Sequence, residues 1–171
     1  MKPIELLKKQ ALTEDWEQAR EAAYELATIE TEESFNFLVG LLALDNAQLR
    51  KIAALALREK ADNRAVEPLL AAINNPANKN NRGTMVYALA RLDCSHHLKN
   101  MFELLIYGNY EVKMGAVTVL EEQLFEFTID ELENIAAMWR DCKDHPEKCP
   151  GYEKCREGIE SLIEGFLSYL K

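Results

Sequence analysis

The sequence predicts an all-α chain, a right-handed α-α superhelix of about four stacked helix pairs with a helix closing each end. Three observations lead there. A basic residue recurs at Arg20, Arg50, Arg82 and Lys113, at separations of 30, 32 and 31 residues. Two, three, six and seven places behind it come Ala22, Ala23, Leu26, Ala27; Ile52, Ala53, Ala56, Leu57; Thr84, Met85, Ala88, Leu89; and Gly115, Ala116, Val119, Leu120. Fourteen of these sixteen are apolar in a chain that is 48% hydrophobic. A second stripe interleaves at the same period: Phe35, Leu38, Val39, Leu42; Val66, Leu69, Leu70, Ile73; and Leu98, Met101, Phe102, Leu105. Its i, i+3, i+4, i+7 spacing puts all four bulky residues on one helical face. No run alternates with period two for long enough to make a sheet. A fixed period in this range marks an array whose units hide their apolar faces against one another.

Each repeat therefore holds a helix A, with a basic residue and a small-residue stripe, and a helix B with a bulky stripe. Residues 1–12 form an N-terminal cap, because Ile4, Leu7 and Ala11 stand 31 residues ahead of Phe35, Leu38 and Leu42. Lys8, Lys9 and Gln10 give that cap a polar outer face. Residues 13–140 hold the four repeats. The A-to-B turns are Thr28–Thr31, Ala61–Arg64, Asp93–His96 and Phe125–Thr128, offering Thr31, Asp62, Ser95 and Thr128 as N-caps. Pro68 falls in the first turn of its helix, where a missing N–H costs little. Asp45-Asn46, the Asn-rich stretch 74–81 and Gly108-Asn109 lead from B to the next A. The fourth B copy, Ile129, Leu132, Glu133, Ala136, is broken by Glu133, so Ile135 or Trp139 takes over. Residues 152–171 form a C-terminal cap of A type, with Ile159, Leu162 and Ile163 behind Arg156, continued by Phe166, Leu167 and Leu170. It arrives 43 residues after Lys113, so residues 141–151 are an insertion. One domain over 1–171 is expected.

The stretch Leu49-Arg50-Lys51-Ile52-Ala53-Ala54-Leu55-Ala56-Leu57, with Asp62-Asn63-Arg64-Ala65-Val66-Glu67-Pro68-Leu69-Leu70, resembles the "VRxxAAxAL … DxRAVxPLL" pattern of HEAT-like repeats of the phycobilin-lyase type. The other copies keep the apolar frame and the basic position, and all four lack that family's usual turn glycine. The resemblance covers roughly residues 15 to 140 and implies a HEAT-like solenoid. It also implies an alternative role, a bilin-lyase-like or chaperone-type enzyme acting on a cofactor-carrying protein.

The insertion and its flanks carry Cys142, His145, Cys149 and Cys155. Three readings stand: a tetrahedral zinc site, a disulfide (Cys149 to Cys155 or Cys142 to Cys149), or thiols packed beside a helical insertion. The spacing C-x2-H-x3-C-x5-C lacks a C-x2-C knuckle, so no metal is assigned, and no cofactor is expected. Cys94 reads as a packed thiol in the third A–B turn.

Net charge is −9, yet residues 50–113 hold ten Lys/Arg against six Asp/Glu. Acids gather at Glu14, Asp15, Glu17, Glu21 and Glu25, and again at Glu121, Glu122, Glu126, Asp130, Glu131 and Glu133. That sign argues against nucleic acid, whose binding rests on neutralised phosphates, and suits a basic protein partner. No Ser-His-Asp order, phosphate loop or HExxH is present, and none of His96, His97 and His145 is followed by Glu, so no enzyme is expected. The chain shows no secretory signal and no apolar run long enough for a bilayer, and a cytoplasmic protein with no membrane partner is expected.

Function then follows from geometry. In stacked pairs the B helices line the concave face. With Phe35, Val66, Leu98 and Ile129 as buried references, Asn36, Glu67, Lys99 and Asp130 are outward. Gly40, Ala71, Glu103 and Asn134 lie four further on, and Asn74, Tyr107 and Arg140 near the helix ends. The expected partner strip is Asn36, Glu67, Asn74, Lys99, Glu103, Tyr107, Asp130, Asn134 and Arg140. Tyr107, Trp139, Arg140 and Trp16 are its candidate anchors, with Trp139 equally a core residue. The expectation is a non-catalytic protein-binding module of inhibitor, immunity or adaptor type.

Overall fold

The computed structural model describes residues 2–170, the side chain of Leu170 excepted. Met1 and Lys171, the ends of the two expected caps, lie outside the described residues, as does the apolar side chain expected at Leu170. Ten α-helices and no strand occur among the described residues: α1 Ile4–Ala11, α2 Trp16–Ala27, α3 Glu32–Leu41, α4 Ala47–Lys60, α5 Val66–Asn74, α6 Gly83–Leu89, α7 Leu98–Tyr107, α8 Tyr110–Glu122, α9 Ile129–Asp144 and α10 Tyr152–Leu167. Even numbers fall on the expected A helices and odd numbers on the B helices.

Local chemistry sets most of the starts. Asp15, Thr31, Asn46, Asn109 and Thr128 each accept a backbone N–H of the helix that follows. Thr128 and Glu131 complete a reciprocal capping box. Asp62 caps the 3-10 turn Asn63–Ala65 that leads into α5. Ser95 is a correction. The N-cap of α7 is His97, with no side-chain cap bond, and the Ser95 carbonyl accepts the Glu126 N–H instead.

The chain divides into two compact units, Met1–Asp93 and Cys94–Lys171. The division falls after α6, so the third expected A–B pair, α6 and α7, is shared between them. In the first unit α1 packs along α2, α3 meets α2 and α4, α5 meets α6, and the A helices stack α2 on α4 on α6. Their stripe is buried throughout except for half-buried Thr84. Alanines there let helix backbones approach closely. The N-terminal cap is therefore the first arm of a hairpin with α2, and α3–α4 and α5–α6 repeat that B-then-A pairing.

The second unit packs α7 against α8 and α9, and α9 against α10. Its core is bulky: Leu98, Met101, Phe102, Leu105, Ile135, Trp139, Ile159 and Ile163 are all buried. Phe166 meets Phe102, Phe125 and Phe127 edge-on at 5.4, 6.1 and 5.9 Å, the arrangement aromatic quadrupoles favour. Gly108 lets α8 follow α7 directly, since a Cβ there would collide with the Leu104 carbonyl and the Val112 side chain. The fourth B stripe runs Leu132, Ile135, Trp139, Cys142, with Ile135 and Trp139 replacing the broken positions. Ile129, taken as a buried reference, is 65% exposed. The expected insertion also begins later, because α9 continues to Asp144 and carries Cys142 on a helical turn.

Three of the four recurring basic residues have a capping role, whereas Arg20 lies over the Trp16 ring instead. Arg50 Nη1 donates to Leu44 O at 2.6 Å, Arg82 Nη1 to Ile73 O at 3.3 Å, and Lys113 Nζ to Leu105 O and Ile106 O, both at 2.7 Å. Each thus reaches back to carbonyls at the end of the preceding B helix, where orphan acceptors and the negative dipole end favour a cation. Lys60 Nζ likewise donates to Ala27 O and Ile29 O, at the end of A helix α2.

Candidate functional site

In the first unit Asn36, Glu67 and Asn74 are exposed on α3 and α5. Between these helices lies a groove of about 280 Å³, lined by Val39, Leu42, Ala43, Pro68, Ala71, Ala72 and Asn75. Its walls are short and apolar because α5 contributes Pro68, the exposed Ala71 and the buried Ala72, and the chain just after α3 contributes Ala43. None of the three predicted residues lines it; they stand on the same two helices beside it.

In the second unit Lys99 is exposed and Glu103 and Tyr107 are half-buried on α7. Lys99 and Glu103 pair at 3.8 Å. Burial, and next the Asp141 carboxylate, push the Tyr107 phenol above its ordinary range. On α9 Asp130, Asn134 and Arg140 are exposed, and Asn134 Nδ2 donates to Asp130 O at 2.8 Å. The register argument for Asp130 and Asn134 fails, because their reference Ile129 itself faces outward. Trp139 is core, 4% exposed, with its ring 5.9 Å from Tyr152 and its Nε1 donating to Glu160 at 3.4 Å. Trp16 is exposed, under the Arg20 guanidinium at 4.7 Å.

The cysteines form a cluster that the sequence left open. Cys149 Sγ is 3.8 Å from Cys155 Sγ and 3.4 Å from Lys113 Nζ, and the buried Cys142 thiol of α9 lies near it. All three are thiols. Burial pushes the Cys142 thiol up to about 12 and raises that of Cys155. His145 turns away, exposed, with Nδ1 on Asp141 O and Oδ1, both at 3.1 Å. Among the described residues no group of His, Cys, Asp and Glu is set to hold a metal ion.

A second groove, about 460 Å³, opens beside the cluster. Tyr110, Met114 and Val117 of α8 and Leu162 of α10 line it, together with Lys113 and Cys155. Sequence reasoning missed this feature. Its signal was there: Tyr110, Met114, Val117 and Glu121 recur at i, i+4, i+7, i+11, a stripe on α8 away from the small-residue face.

Compared with known proteins, the chain matches no family model and no curated sequence. No helix among the described residues is long and apolar enough to cross a membrane.

Proposed function

We propose that this chain is a HEAT-like, right-handed superhelical protein without catalytic activity that binds a partner protein through the outer faces of its B helices. The apolar groove between α3 and α5 carries this reading. Two successive B helices there expose Val39, Pro68 and Ala71 to a concavity wide enough for a partner's side chains, with Asn36, Glu67 and Asn74 beside it to fix register. Acids on α2 and its lead-in, Glu14, Asp15, Glu17 and Glu21, are all exposed. They favour a basic partner and faster association at low salt, as an inhibitor, immunity or adaptor protein would need.

A photo-crosslinking residue at Ala71 tests this against the same residue at Lys51, exposed on A helix α4. In native extract the position-71 protein is expected to give one discrete adduct that weakens as salt rises. Equal adducts from both positions, or none from 71, would overturn the assignment.

A further inference from the structure

We propose that Cys155 and Cys149 form a dithiol site for small disulfides, with Cys155 as the entry sulfur and Cys149 as the resolving one. Accessibility sets the order. Cys142 is fully buried and Cys149 is 2% exposed, whereas Cys155 is half-exposed on the groove beside Tyr110, Met114 and Leu162. A disulfide entering that groove can meet only the Cys155 sulfur. The sulfur next to it is Cys149, 3.8 Å away across the turn Pro150-Gly151. Gly151 holds a left-handed conformation, φ 71°, which brings the two cysteines round to face each other although five residues lie between them.

Lys113 supplies the second observation. It is buried, no carboxylate pairs with it among the described residues, and its three N–H bonds go to two carbonyls and to Cys149 Sγ. Arg50 and Arg82, at the same place in their repeats, spend their contacts on carbonyls alone. An ammonium held against a sulfur and without an acid is the counter-charge for a sulfur anion that forms in passing. Lys113 thus acts as a positioning residue through Cys149.

The chemistry closes on itself. The Cys155 sulfur, giving up its proton, bonds to one sulfur of RSSR, and the other leaves as RS⁻ and takes that proton. The Cys149 sulfur then attacks Cys155, the bond to R breaks, and the second RS⁻ leaves with the Cys149 proton. Two electrons pass from the protein dithiol to the small disulfide, which ends as two thiols. Cys142, fully buried and not among the residues lining the groove, takes no part.

Oxidised glutathione is the probe, on the full chain, read by thiol alkylation and peptide mass mapping. The wild type is expected to lose two alkylatable thiols and gain a Cys149–Cys155 link. Cys149→Ser is expected to stop with glutathione on Cys155, and Cys155→Ser to take none on Cys142 or Cys149. Lys113→Arg is expected to leave the first step unchanged and slow the second, so that the mixed disulfide accumulates. A wild-type protein that keeps all its thiols, holds glutathione on Cys155 without resolving it, or links Cys142 to Cys149 would overturn the proposal.

Discussion

The two units use one recurring spacing of basic and apolar residues in different ways. In the first, alanine stripes let three A helices stack backbone against backbone. In the second, Phe102, Trp139 and the ring cluster around Phe166 fill space between helices that stand on bulky residues. All four cysteines belong to the second unit, which is also where the chain departs from its period. The lesson is about where chemistry can be lodged. A strict small-residue stack leaves no room for a reactive side chain, whereas a longer connection between α9 and α10 folds sulfur against a buried ammonium. The recurring basic position shows the same contrast in one residue. Arg50 and Arg82 only cap a helix; Lys113 caps a helix and touches a thiol.

The largest expected effect separates those two uses. Lys113→Met leaves two buried carbonyls without their donor and should cost about 3 kcal/mol in urea unfolding. Arg50→Met removes the donor of one carbonyl and should cost about 1–2 kcal/mol. Equal costs would mean that the sulfur contact and the second carbonyl contribute nothing.

Overpacking probes the stacks themselves. Ala53 is fully buried on α4, which is held by α2, α3 and α6. Ala53→Leu should therefore cost about 2–3 kcal/mol, the upper part of the usual range. Ala116→Leu, on α8, should cost about 1 kcal/mol, because α8 packs mainly against α7 and its other flank borders the open groove. A reversed order would show that the alanine stripe is not what sets helix spacing in the first unit.

Much of this architecture was legible because it rests on short-range rules. The stripes at Ala22–Ala27, Ile52–Leu57 and Val66–Ile73 are each one helical face, and spacing alone fixes which residues turn inward. Asp62 and Thr128 were legible as caps for the same reason. What escaped depends on how whole helices pack, whether neighbours in the chain or far apart in it. That α1 would lie along α2, that Lys113 would reach Cys149 36 residues away, and that α9 would rotate to expose Ile129 are settled by tertiary packing. The partner strip was read by carrying one register along the sequence, and that register slips at the fourth copy, which Glu133 had already marked as irregular: Ile129, its reference, faces outward.

Helix ends give a smaller contrast of opposite sign. Ala61 closes α4 in the left-handed region at φ 53°, which crowds a Cβ against its own carbonyl. Ala61→Gly relieves about 1–2 kcal/mol of that strain and gives back some through the looser unfolded chain. A net gain of about 0.5–1 kcal/mol, seen as a higher Tm, is expected. Gln123 closes α8 at φ −118°, and its side chain accepts the Cys94 N–H at 2.9 Å. Gln123→Gly should instead lose about 1 kcal/mol. Stabilisation by both glycines would remove the difference between these two ends.

Acid should draw the finest line between the units. In the first, Asp62 lies below the ordinary carboxylate range because Arg64 donates to it, and Glu33 does so because of Lys8. In the second, Asp141 is lowered by Lys148 and Glu160 by Lys143. All four hold protons less readily folded than unfolded. Their contribution is therefore complete above the unfolded values near pH 4 and disappears as pH falls through the lower folded ones. Tm should stay flat from about pH 7 to about pH 5 and drop below about pH 4. Asp62 is the most enclosed of the four, gripped by Arg64 Nε and Nη2, with Nη2 at 2.6 Å. Asp62→Asn keeps an oxygen for the cap but not the charge, so it should flatten the acid limb more than Asp141→Asn does. High salt should shrink the Asp141 effect first, since exposed pairs are the better screened. An acid limb unchanged by Asp62→Asn would place the sensitivity in the second unit and invert the comparison.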